Sequence, residues 1–320
     1  MSHRIDKENE INELFPISNR AARSIDLQVN SLAKEHLRIG TSKHAAHERI
    51  KEENGGKLSA HDRGQGTEFH SWATYHKYRS DFKSFAHYCR SEYGIKKIHD
   101  IEPRMVSSFC RELVDIGYSK NSFCSFCSAI EKFGSFMKID FHPALQEFKK
   151  SEDYRSLVAK DVDTRAYSNP ETIIAAIKEI SALDATVEKV SFSAHLSLIY
   201  GLRINDACHF RLSGNRIAFN SKNGMKTIKE LTPKDAEKAA TLVDARGSYN
   251  ISTNTASDVW SKACDKAGVE NHSWHGLRHN FCQNEYNSLR EKGLTHREAC
   301  IVCSHEMNHS RPGITETYLR

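Results

Sequence analysis

Residues 274–279 read Trp-His-Gly-Leu-Arg-His, which places His275 and Arg278 three positions apart, with His279 directly after the arginine. If this segment is helical, His275 and Arg278 share a face, because residues three or four apart stack along a helix. Upstream, residues 201–206 read Gly-Leu-Arg-Ile-Asn-Asp: an apolar helix ends, Arg203 follows, and Asp206 lies three residues on, where its carboxylate can hold the guanidinium. Between these stretches, RIAFNS and KTIKELTP read as two short strands around Lys222, Asn223 and Gly224, and Asn-Gly is a strong hairpin signal. Lys222 then sits in the turn, with Lys226 just across it. Hairpin register cannot be read from sequence, and Lys222 is favoured because it directly follows the first strand. Downstream, His309 precedes Ser310-Arg311-Pro312-Gly313, and Tyr318 follows His309 by nine residues.

Each of these residues has an ordinary explanation when taken alone. An arginine three residues from a carboxylate is commonly an ion pair, histidine and arginine often decorate a solvated helix face, and a tyrosine near a chain end is usually packed or exposed. The order carries the weight. An arginine in GLRxxD, a hairpin lysine, HxLRH, a late histidine and then a tyrosine resembles the tyrosine recombinase (phage integrase) family. His305 competes with His309 for the late histidine, and the nine-residue spacing to Tyr318 matches the family for His309.

The chemistry that this resemblance implies fits the residue types. A tyrosine hydroxyl ordinarily titrates near pH ~10, so it needs help to attack phosphorus at neutral pH. Two permanently charged guanidinium groups, Arg203 and Arg278, can neutralise the non-bridging phosphate oxygens with forked donors. No metal is then required, and no cofactor is expected. The resemblance makes Tyr318 the nucleophile, Lys222 the general acid for the departing 5′ oxygen, and His309 a donor to the phosphate. His275 either takes the tyrosine proton or bonds the phosphate. Asp206 would orient Arg203, and His279 would support the site. The implied activity is site-specific cleavage and rejoining of double-stranded DNA through a 3′-phosphotyrosyl intermediate and a Holliday junction. It implies a homotetramer on two synapsed recombination sites and an accessory DNA-bending or directionality protein, in the cytoplasm at the nucleoid. A type IB topoisomerase, or a DNA-binding regulator of the same fold that does not cut, are the alternatives. Two residues follow Tyr318, whereas many members carry a further segment that packs on a neighbouring protomer. The chain is therefore expected to be truncated or its protomers to communicate differently.

The rest of the chain is consistent with this. At 320 residues it has room for two domains and an extra segment, and its formal charge of +5 permits a polyanionic partner without demanding one. No apolar run is long enough to span a bilayer, and the polar, acidic start lacks the core of a signal peptide, so a soluble intracellular protein is expected. Nine cysteines fit reduced thiols, mostly small buried hydrophobes. The pairs Cys124/Cys127 and Cys300/Cys303 fall in helical segments, unlike the turns from which zinc ribbons present their ligands.

Residues 1–66 read as an N-terminal accessory helical segment and linker, with helix favoured from Ile17 to about Glu53. Residues 67–150 read as a helical core-binding, DNA-binding domain. Its three helices are carried by Phe69 to Cys89, by Pro103 to Leu113, and by a stretch from Ser119 with the stripe Phe123, Phe126, Ile130 and Phe133. Residues 151–320 read as the catalytic domain. The expected fold is mostly α with a small β-sheet: a helical core-binding domain and a mixed α/β catalytic domain. His195, in an apolar helix, reads as a core histidine. Lys77, Lys120 and Asn121 are the candidate DNA contacts, the last two at a helix N-terminus, where backbone amides favour phosphate.

Overall fold

The structure is a computed structural model that describes residues 19–57, 59, 62, 64, 66–158, 165–180, 184–221, 226–309 and 312–319. The chain divides into two compact units between residues 161 and 162.

The first unit is helical: α1 (Asn19–Glu35), α2 (Lys43–Glu53), α3 (Trp72–Tyr93), α4 (Pro103–Asp115), α5 (Lys120–Met137), α6 (His142–Phe148) and α7 (Glu152–Ser156). Local chemistry sets most of these boundaries. Ser71 accepts the Thr74 N–H to open α3, and Gly94 closes it in the left-handed region at φ 64°. Pro103 occupies the first turn of α4, and the Ser119 side chain accepts the Ser122 N–H to open α5.

The helix expected from Ile17 to about Glu53 is in fact broken between α1 and α2. Leu37 bridges to Phe69: Arg38 N donates to the Phe69 carbonyl, and Phe69 N to that of His36. Pairing with a distant strand-like residue replaces the helical bonds, and Ser42 restarts the helix as an N-cap. Phe69, taken from the pattern as part of α3, therefore precedes it. Ile25, Val29 and Leu32 of α1 share one core with Phe82, Phe109, Phe123 and Phe133. Within that core Phe82 and Phe133 stack at 4.2 Å.

The second unit runs α8 (Pro170–Ile180), α9 (Ala185–Tyr200), α10 (Ile204–Cys208), β1 (His209–Ser213), β2 (Arg216–Asn220) and β3 (Lys226–Glu230). It continues with α11 (Pro233–Leu242), β4 (Ser248–Asn250), α12 (Thr253–Ala267), α13 (His275–Glu291), α14 (His296–Glu306) and a 3-10 turn, Pro312–Thr317. The strands form one antiparallel sheet in the order β3-β2-β1-β4. The expected hairpin is β2–β3, with Asn220 opposite Lys226. Its turn, with Lys222, Asn223 and Gly224, lies outside the described residues. β1 and β4 correct the expectation of two strands and of helices alone beyond Pro233. His195 also departs from the core reading: it is half exposed and bonds Asp235 at 2.9 Å.

The fold is thus mostly helical with a small antiparallel sheet. All nine cysteines are free, and all but Cys124 are buried. Among the described residues no helix is long and apolar enough to cross a membrane.

Candidate active site

Three local devices bring the two arginine motifs together. Gly201 ends α9 at φ 65°, where a β-carbon would stand 2.4 Å from the Phe281 ring, so only glycine fits both the backbone and the space. Arg203 follows as the N-cap of α10, with Nη1 3.8 Å from Asp206 Oδ2. At the start of α13, a β-carbon on Gly276 would meet the Tyr167 ring at 2.4 Å and the Arg165 carbonyl at 2.5 Å, so this segment packs directly on the helix. Asn280 completes this lock from one turn further on. Its Oδ1 accepts from Tyr167 N at 2.8 Å, and its Nδ2 donates to the Tyr167 carbonyl at 2.6 Å, as a neighbouring strand would. The first two turns of α13, carrying His275, Arg278 and His279, are thereby fixed.

Arg278 is only 2% exposed. Its Nη1 donates to the Gly201 carbonyl, and its Nη2 to the Met307 carbonyl and to His309 Nε2, the last at 3.1 Å. Among the described residues, Nε of Arg278 and Nη1 of Arg203 are buried guanidinium donors without a hydrogen-bond partner, the latter facing Asp206 across the 3.8 Å ion pair. Buried polar groups are almost always satisfied, so a pair of orphaned cationic donors calls for an anion. Burial, and then the nearby Arg203, pull the Arg278 pKa down, while Tyr318 and Asp206 pull it back. Burial raises the pKa of Asp206 against the opposing charges of Arg203 and Arg278.

Tyr318 closes the site. It is 7% exposed, and its ring centroid lies 4.6 Å from that of His279, 5.4 Å from His275 and 5.5 Å from His309. The Arg278 guanidinium carbon stands 5.9 Å from the same centroid. Burial lowers the pKa of His275 to about 4, reinforced by His279, Arg278, Arg165 and Arg203. Burial likewise lowers His279 to about 4, with Arg165 next in weight and a hydrogen bond to the Tyr318 carbonyl opposing. Both imidazoles are therefore neutral at pH ~7 and retain a basic nitrogen. The arrangement is a phenol beside a neutral base, facing two cations with donors to spare.

Of the residues singled out from sequence, Arg203, Asp206, His275, Arg278, His279, His309 and Tyr318 are drawn into this cluster. His305 is exposed on the last turn of α14, apart from the Arg278–His309 bond. Lys222 lies outside the described residues, and Lys226 is exposed as the first residue of β3. In the first unit, Lys77 is ion-paired with Asp81, Lys120 lies 5.0 Å over the Tyr154 ring, and Asn121 is exposed. The sequence reading missed Gly201 as a packing requirement, Asn280, Gln283 and the exposed cation Arg165. Only Gly201, after an apolar helix, carried a local signal.

Residues 66–138 match the family described as the phage integrase N-terminal SAM-like domain. No curated protein matches the chain. Among solved structures, the XerH site-specific recombinase bound to its difH substrate before cleavage is similar at 13% identity and a TM-score of 0.51, over 94% of this chain and 92% of that one. Its post-cleavage complex on a palindromic difH substrate gives 13% identity and 0.53, over 94% and 90%. A lambda integrase dimer bound to a COC′ core site gives 14% identity and 0.50, over 87% and 95%. At these identities the likeness is one of fold.

Proposed function

We propose that this chain, which has the fold of the tyrosine recombinases, is a site-specific DNA recombinase that cuts and rejoins DNA with Tyr318 as the nucleophile. The observation that carries this reading is the pair of buried donors on Arg203 and Arg278 that lack a hydrogen-bond partner among the described residues, with the Arg278 guanidinium beside the Tyr318 ring. A phosphodiester placed there would accept from both guanidinium groups in a site that largely excludes water, where such bonds are strongest.

In the step so assigned, the bond from Tyr318 Oη to phosphorus forms and the bond from phosphorus to the 5′ oxygen breaks. The tyrosine proton passes to His275, whose neutral state suits it as the base. Lys222 supplies a proton to the departing oxygen, with Lys226 as its competitor for that role. His309, held by Arg278, contributes the proton on its other nitrogen to a phosphate oxygen, and Asp206 orients Arg203. A free 5′ hydroxyl from a partner strand reverses the covalent bond. Phosphodiester energy is retained throughout, so the residues present suffice without a nucleotide cofactor.

Residues 67–150 are assigned to DNA binding, with Lys120, Asn121 and Lys77 as contacts, and residues 151–320 to catalysis. Residues 1–66 form an accessory segment. Four protomers on two synapsed sites, passing through a Holliday junction, follow from the fold family. The test is incubation with nicked suicide substrates bearing candidate sites. A covalent protein–DNA adduct should form and should disappear in Tyr318→Phe; an adduct that persists in that variant removes Tyr318 from the role.

A further inference from the structure

A nucleophile cannot be held firmly by its own hydroxyl, because that oxygen must be released to attack. It has to be placed through its main chain. The carbonyl of Tyr318 accepts a hydrogen bond from Gln283 Nε2 at 3.1 Å, and the His279 ring lies 4.6 Å from the Tyr318 ring between centroids. His279 and Gln283 are four residues apart, and hence lie on one face of α13. The same helix carries His275 and Arg278.

We propose that Gln283 is a positioning residue that clamps the Tyr318 carbonyl and so registers the nucleophile to the helix that holds the phosphate site. This rests on the recombinase reading above. The remaining ties of the segment point elsewhere. Tyr318 N donates to the Thr315 carbonyl within the same turn, and Thr315 Oγ1 to the Cys300 carbonyl on α14. The Gln283 bond links the nucleophilic residue's main chain to α13. An amide suits the task because it donates without adding charge beside the two arginines. A carboxylate at this position would face the carbonyl oxygen with acceptors alone.

The experiment compares the full-length wild type with Gln283→Met, which keeps length and helix propensity, and with Gln283→Glu. Covalent adduct formation is followed on a suicide duplex over a range of DNA concentrations. Hydrogen exchange of the peptide containing Thr315–Leu319 is followed without DNA. Gln283→Met should lower the rate at saturating DNA by about 5- to 20-fold, the effect of losing one hydrogen bond that holds the docked state. Gln283→Glu should lower it further. The DNA concentration for half-saturation should stay unchanged, and the Tyr318 and Leu319 amides should exchange faster. A wild-type rate in Gln283→Met, or a loss expressed only as weaker DNA binding, overturns the clamp. If the wild type itself forms no adduct, the recombinase reading fails on its own account. The exchange measurement then decides the clamp: unchanged exchange in Gln283→Met overturns it, and faster exchange supports it.

Discussion

Arg278 and His309, 31 residues apart in the chain, are bonded directly, Nη2 of the arginine to Nε2 of the histidine at 3.1 Å. A guanidinium has only donors, so His309 accepts there and its own proton lies on Nδ1. The bond sets the tautomer of one residue through the other, and both depend on the Met307 carbonyl that Arg278 also holds.

Arg278→Lys tests how much of the site depends on the planar fork. A lysine keeps one charge but cannot reach the Gly201 and Met307 carbonyls together and still leave a donor for an anion. Adduct formation should fall by about 10²-fold or more, and urea unfolding should show a loss of roughly 1–3 kcal/mol as a buried carbonyl goes unpaired. Activity within tenfold of wild type would argue against phosphate binding by Arg278.

Gly201→Ala should be costly although it adds a single methyl. The backbone is at φ 65° and the new carbon would stand 2.4 Å from the Phe281 ring. A loss of about 1–3 kcal/mol is expected in denaturant unfolding. Adding Phe281→Leu should recover part of it by clearing the space. If the double variant is no more stable than the single one, the steric account is wrong and backbone strain alone is responsible.

The two histidines beside Tyr318 predict a pH dependence. An unfolded histidine titrates near pH ~6.5, whereas His275 and His279 in the folded protein titrate near about 4. Between these values the unfolded chain takes up protons that the folded chain refuses, so stability falls as pH falls through that window and levels off on either side of it. Melting temperature without DNA should follow this course, with a shallower decline in His279→Asn. Parallel profiles for the two proteins would contradict the low pKa of His279.

Lys222 and Lys226 can be separated by the leaving group. Replacing the departing 5′ oxygen with sulfur produces a thiolate, which leaves without a proton. Removing a general acid costs about 10²-fold or more on ordinary DNA. Lys222→Ala should show that loss and recover on the sulfur substrate, while Lys226→Ala should be near wild type on both. The reverse pattern would transfer the role to Lys226.

Much of the helical framework was legible in the sequence because its signals are local. Pro103, Ser119 and Gly94 act within one turn of their own position, so reading them requires no knowledge of distant partners. β1 and β4 were not legible. Three residues such as Ser248–Asn250 become a strand only through pairing with β1, 41 residues earlier in the His209–Asn250 pair and 39 in the Phe210–Tyr249 pair. The break between α1 and α2 has the same origin in the Leu37–Phe69 bridge.

For the site, the sequence by itself determined which chemical groups are present and in what order: Arg203, then His275 and Arg278, a late histidine and Tyr318. Tertiary structure alone decided that Arg278 is buried and satisfied from carbonyls 77 and 29 residues away, leaving Nε unpaired with the Arg203 donor. It also decided that Asn280 locks Tyr167 across 113 residues, and that Gln283 reaches the Tyr318 carbonyl across 35. The reason is physical. Residue identity fixes what a side chain can donate or accept, but whether a donor is buried and spare depends on which distant backbone groups the fold brings within about 3 Å of it.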